Sequence, residues 1–169
     1  MPYELHPRVP EVGLSLKERW GARYAEAEAM YARIESECVT AGLPFRRPER
    51  IPNTRRALET AECVRRDHPD AFPALDRALF AAHFVEGRFL GDPDVLDELV
   101  AGVGVDAGAV RATVESGTMR ATVDESMRLA DEIGVTGTPA WLLDGRLLLP
   151  GAQPRATIER IVVRMHSRT

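Results

Sequence analysis

Apolar positions in the first third of the chain recur at helical spacing. Leu16, Trp20, Tyr24, Ala27, Tyr31, Ile34 and Cys38 follow one another at steps of 4, 4, 3, 4, 3 and 4, which predicts one apolar stripe on a single long helix. Ser15 with Glu18 three residues on has the spacing of a capping box, and Gly42 followed by Pro44 ends the helix. A loop from Leu43 to Pro52 leads to a helix capped by Asn53 or Thr54 and running to about Asp67, with Ala57, Leu58, Ala61 and Val64 as its inner face. Pro69 or Pro73 opens the next helix, with Phe72, Leu75, Leu79 and Ala82 or His83 inward, and it fades near Glu86-Gly87. Asp92-Pro93 marks N-cap and first turn of a helix through Val100, and a short helix spans Asp106 to Ser116. Thr118 starts another, with Met119, Val123, Met127, Ala130 and Ile133 in register and Gly134 as its cap.

The period then changes. Ala140 to Leu143 and Arg146 to Leu149 are apolar runs on either side of Asp144-Gly145, the signal of a two-residue β-hairpin. Pro154 opens a last helix, with Ile158, Ile161, Val162 and Met165 inward. At the other end, Pro2-Tyr3-Glu4-Leu5 reads as a short strand stopped by the prolines of His6 to Pro10. The order is strand, all-helical middle, hairpin, helix. That is an α/β plan carrying a large helical insertion, not a helical bundle.

Composition narrows the function classes. The 169 residues suit one domain with a sizeable insertion, and 44% hydrophobic residues supply a core. A formal net charge of −4 argues against nucleic acid or an anionic membrane as partner. No apolar run approaches the ~18 residues a membrane span needs, and Met1 to Pro10 lacks the apolar region of a signal peptide, so a cytoplasmic location is expected. Two cysteines, Cys38 and Cys63, are too few for a disulfide scaffold.

The most informative stretch is Gly134-Val135-Thr136-Gly137-Thr138-Pro139-Ala140-Trp141. A proline directly before an apolar strand, in a Thr/Gly loop, resembles the cis-proline loop of the thioredoxin fold. An ordinary trans proline at the first residue of a strand is the plain alternative. Further blocks point the same way in order along the chain: Pro2 to Pro7, Ile51 to Leu58, Ala78-Leu79-Phe80 with Phe84 to Arg88, Gly91-Asp92-Pro93, and Gly151-Ala152-Gln153. Together they resemble the DsbA-like thioredoxin family, and within it the cytoplasmic FrnE-type oxidoreductases. Relatives of that branch are 2-hydroxychromene-2-carboxylate isomerases and kappa-class glutathione transferases.

The resemblance implies an α/β fold: a thioredoxin-like core, residues 1–13 and 114–169, with residues 14–113 inserted as an all-helical domain. It implies a protein or small-molecule thiol or disulfide as substrate, met by the loop of Val135, Gly137, Thr138 and Pro139. Asn53 falls where the glutathione-dependent relatives contact the tripeptide, so glutathione is the one cofactor the resemblance leaves open. The family also places a strand, a Cys-Pro-Trp-Cys-type motif and a helix ahead of the strand matching Pro2 to Leu5. Neither that segment nor any C-x-x-C occurs in the sequence. The expectation is therefore a truncated chain with an incomplete sheet, no catalytic residue of its own and no activity as it stands; open strand edges favour association with a second copy as a homodimer.

No other chemistry competes. Cys38 continues the apolar stripe late in its helix, where the macrodipole disfavours a thiolate, and reads as a buried small hydrophobe. Cys63 lies about 200° round the helix from Ala61, so it is either exposed or set against a second packing surface. His6, His68, His83 and His166 lack metal-ligand spacing, so no metal is expected, and His83 falls at a packed position. Arg46, Arg47, Arg50, Arg55 and Arg56 are able to meet an anion, but a solvated loop balanced by Glu49 and Glu59 is the simpler reading. Three function classes follow. They are a thiol–disulfide oxidoreductase lacking its cysteine pair, a redox-dead module binding a peptide or partner, and a glutathione-dependent isomerase or transferase.

Overall fold

The structure is a computed structural model that describes residues 1–166. Its elements are β1 (Leu14–Ser15), α1 (Leu16–Trp20), a 3-10 turn (Gly21–Arg23), α2 (Tyr24–Thr40), β2 (Arg50–Ile51), α3 (Arg55–Asp67), α4 (Phe72–Ala81), a π turn (Ala82–Glu86), α5 (Pro93–Gly102), α6 (Ala107–Glu115), α7 (Arg120–Glu132), β3 (Ala140–Leu143), β4 (Leu147–Pro150) and α8 (Arg155–His166). They form two compact units, Met1–Asp124 and Glu125–Thr169.

The first unit is built around α3. This helix is buried on more than one side, at Ala57, Glu59, Thr60, Glu62, Cys63 and Val64, because α4, α5 and α6 all pack against it. Leu75 and Leu79 of α4, Leu96 and Val100 of α5, Val110 and Val114 of α6, and Met119 close the core. Glu59 and Glu62 are tolerated inside because Arg55 and Arg65 pair with them from the same helix. The Asp92 cap and the Ser15–Glu18 capping box read from sequence are present, Thr54 makes no side-chain cap bond, and Asp106 adds a cap that the sequence pattern does not name. Asp92 accepts from the Asp94 N–H at 2.9 Å and Asp106 from the Ala109 N–H at 3.1 Å. The Ser15–Glu18 capping box is closed at both bonds, 2.7 and 3.1 Å.

Several expectations are corrected. Pro2 to Leu5 does not form a strand. The ladders among the described residues are β1 with β2 and β3 with β4, both antiparallel, and neither includes this segment. A strand exists only as part of a ladder, and Pro2 brings no N–H to one. The long first helix is broken. Gly21 takes a positive φ and a 3-10 turn separates α1 from α2, so Leu16 and Cys38 do not share one stripe. Only Ala27 of α2 is buried, which leaves Cys38 half-buried rather than in the core. Cys63, in contrast, is 2% exposed, against the second packing surface that α6 provides.

The second unit holds the end of α7, the hairpin and α8. Leu143 pairs with Leu147, so three residues connect the strands instead of two. Asp144 and Gly145 both have positive φ, and Arg146 N–H donates to Leu143 O at 3.1 Å. The dipeptide makes the turn as its chemistry requires, but the ladder starts one residue later than the apolar run.

Candidate functional site

The loop between α7 and β3 is held at both ends. At its start α7 closes with Gly134 at φ 81°, and the Val135 N–H donates to Ala130 O at 2.9 Å while the Gly134 N–H reaches Asp131 O at 3.1 Å. This is a Schellman closure, in which a glycine tolerates the left-handed conformation and the next residue turns inward. Val135 is accordingly buried. At its end, Pro139 O accepts from the Gly151 N–H at 2.8 Å, one step beyond the Ala140–Pro150 pair of the hairpin. Between the anchors Thr136, Thr138 and Pro139 are exposed and Gly137 is partly so. The Thr138–Pro139 peptide is cis. The loop thus offers backbone groups to solvent from a fixed frame, which suits recognition of an extended chain.

Asn53 lies in the first unit, ahead of α3. Its Nδ2 donates to Val9 O at 2.7 Å, and its Oδ1 accepts from the Arg55 N–H at 2.9 Å. The side chain therefore caps α3 and pins the N-terminal segment, and both ends of its amide are committed to backbone.

Cys63 does not resemble a nucleophile. Cys63 sits among core residues, with Sγ 3.7 Å from Asp67 Oδ2. Burial, then the neighbouring Asp67 carboxylate, push its pKa up, away from the thiolate. Among the described residues no group of three or more His, Cys, Asp or Glu side chains is arranged to hold a metal ion. Among them, too, no helix is long and apolar enough to cross a membrane.

The arginine cluster divides in two. Arg55 is a structural hub, 2.8 Å from Glu59, 3.7 Å from Glu4 and 2.6 Å from Asp124, and Arg56 pairs with Glu115 at 3.3 Å. Arg46, Arg47 and Arg50 instead line a cavity with Pro48, Glu49, His83, Gly87, Arg88 and Phe89. Sequence reading found the arginines but missed this cavity. Its other half comes from the end of α4, 30 to 40 positions further on, and only the π turn brings the two together.

A model of the DSBA-like thioredoxin domain matches residues 1–163. Among solved structures, a "probable DsbA oxidoreductase" from Streptomyces coelicolor is similar at a TM-score of 0.85 and 23% identity, over 99% of this chain and 74% of that one. At that identity the likeness speaks for the fold alone: a mostly helical DsbA-like thioredoxin fold, an α/β core with a helical insertion. No curated protein matches.

Proposed function

Because this chain belongs to the DsbA-like thioredoxin-domain family of thiol–disulfide oxidoreductases, we propose that Val135, Gly137, Thr138 and Pro139 form its substrate-facing loop, and that the protein is of the FrnE type, working in the cytoplasm. In this reading residues 14–113 are the helical insertion, and residues 1–13 with 114–169 supply the thioredoxin-like part. The observation that carries the reading is the doubly anchored loop, with Val135 buried, Thr138 exposed and Pro139 O bonded to Gly151.

Exchange needs a thiolate that attacks a disulfide sulfur, forms a mixed disulfide and expels a thiolate, and then a second thiol that resolves it. The 169 residues contain no C-x-x-C, and Cys63 is buried with a raised pKa. We therefore assign this chain a binding role toward thiol or disulfide substrates, without turnover of its own. Reduction of a protein disulfide by a small thiol is expected to run at the uncatalysed rate in its presence. Grafting a strand–Cys-x-x-Cys–helix segment of the family ahead of Met1 is expected to create activity, and Pro139→Ala to reduce it. Turnover by the ungrafted chain that Cys63→Ser abolishes overturns the assignment.

A redox-independent peptide-binding module is the second reading. It is favoured if extended peptides without sulfur bind the ungrafted chain as well as disulfide-bearing ones do. In the glutathione-dependent reading Asn53, whose amide already bonds Val9 O and the Arg55 N–H, would meet the tripeptide with its remaining donor and acceptor sites. Self-association is part of the proposal. Trp141 is 50% exposed, and Leu142 and Leu147 are exposed on the same two-stranded hairpin. Light scattering at rising concentration is expected to show a homodimer.

A further inference from the structure

Helix α4 does not end in an ordinary α turn. Residues Ala82–Glu86 widen into a π turn, a rare geometry that concentrates at functional sites. The turn serves as a dock for the loop that follows α2. The Arg46 N–H donates to Phe84 O at 2.6 Å, and Arg46 Nη1 donates to Glu86 O at 3.0 Å. Gly87, at φ 72°, lets this happen. A Cβ there would lie 2.8–3.0 Å from the Arg46 side chain, so any other residue would displace the guanidinium. Loop and turn border an open cavity of about 120 Å³, well above the ~10–15 Å³ that holds one water.

Four guanidiniums line this cavity, from Arg46, Arg47, Arg50 and Arg88, together with the His83 ring and one carboxylate, Glu49. The four are not equally neutralised. Arg47 pairs with Glu35 through two bonds, at 3.1 and 3.2 Å, and Arg88 pairs with Glu98; neither carboxylate belongs to the lining. Arg50 donates to the carbonyls of Val12 and Gly13 and lies 5.5 Å over the Phe89 ring. Glu18 feels its charge. Arg46 meets Glu49 only at 3.9 Å, and that glutamate is largely exposed. Arg46 and Arg50 therefore carry the loosest carboxylate contacts of the four, Arg46 through its 3.9 Å pair with Glu49, and each keeps N–H donors beyond the Nη1 bond to Glu86 O and the Nη2 bonds to the Val12 and Gly13 carbonyls. Arg46 and Arg50 on the loop, with the Arg88 guanidinium and the His83 ring from the segment after α4, bring donors from two stretches of chain, which suits a tetrahedral oxyanion, with three or more acceptor oxygens, better than a planar carboxylate, which one fork satisfies.

We propose that this cavity binds a phosphate-class oxyanion, either free or as the terminal group of a phosphomonoester. The site goes beyond the thiol reading and does not depend on it. Burial lowers the His83 pKa against a backbone bond to Arg88 that raises it, which favours the uncharged imidazole over a fifth cation.

The test is calorimetric titration of the full chain, at low ionic strength, with inorganic phosphate, phenyl phosphate and succinate in separate arms. Saturable one-site binding of phosphate or phenyl phosphate is expected, with succinate at least tenfold weaker. The tighter of the first two tells whether the site takes the free ion or the ester. Arg46→Gln, on an exposed side chain, is expected to weaken binding at least tenfold. Arg23→Gln, on an arginine outside the cavity, is expected to leave it unchanged. Absence of saturation, succinate binding as tight as phosphate, or equal losses in both variants overturns the proposal. None of these outcomes touches the thiol assay.

Discussion

The two units of this molecule solve the burial problem differently. In Met1–Asp124, Leu75, Val64, Leu96 and Val100 have essentially no solvent contact, and even Glu4, Glu59 and Glu62 are buried, the last two paired with the less buried Arg55 and Arg65. In Glu125–Thr169, Ala130, Ser126 and Val135 are buried, while Trp141, Leu142 and Leu147 of the hairpin stay exposed. A two-stranded hairpin has two open edges and two faces, and by itself lacks the layers that make a sheet stable. The helical unit therefore holds the larger buried core, and the unit with the Val135–Pro139 loop keeps apolar side chains exposed on its hairpin.

The largest test of this contrast is Leu75→Ala. Truncating a fully buried leucine in the core is expected to cost about 2–5 kcal/mol in urea unfolding, while Leu142→Ala costs far less. Equal costs would break the comparison. Next, Arg55→Ala removes the partner of buried Glu59 and the link to Asp124. A loss of about 3 kcal/mol is expected, the low end for a broken buried pair, because Arg55 is itself partly exposed. Urea unfolding of the variant checks it, and a neutral result would mean that Glu59 finds another donor.

Thiol labelling sharpens the comparison inside the first unit. Cys38 is half-buried and Cys63 is buried, so iodoacetamide is expected to modify Cys38 first, and Cys63 only as the core opens. Mass spectrometry of Cys38→Ser and Cys63→Ser variants reads the order. On the hairpin, Leu142→Ser is expected to change stability by no more than ~0.5 kcal/mol while reducing self-association, read by light scattering.

The smallest effects are those of pH. The Cys63 pKa is raised above 9.0 by burial, so the unfolded chain loses that proton first as pH rises. Its contribution to stability is complete below about pH 9 and is lost as pH climbs through the folded value. His83 and His6 run the other way. Burial lowers both from 6.5, so their contribution is present above that pH and is lost as pH falls through the folded values. Melting temperatures measured from pH 5 to 10 are expected to decline gently at both ends.

Much of this protein was determined locally. The capping box at Ser15, the Asp92 cap and the Gly134 closure each depend on a few neighbouring residues and form as the sequence predicts, while Asp144-Gly145 turns the chain with three connecting residues instead of two. The loop from Val135 to Pro139 was legible for the same reason. Tertiary structure decided what depends on partners far along the chain. Pro2 to Leu5 has the residues of a strand but no place in either ladder. Cys63 is off the main apolar face of α3 and yet buried, because α6 covers that side. The arginines at 46, 47 and 50 became a cavity only when the π turn bonded to their loop. Caps and turns are short-range hydrogen-bond problems that a sequence states in full. Burial and convergence are set by which surfaces meet, and no local pattern records that.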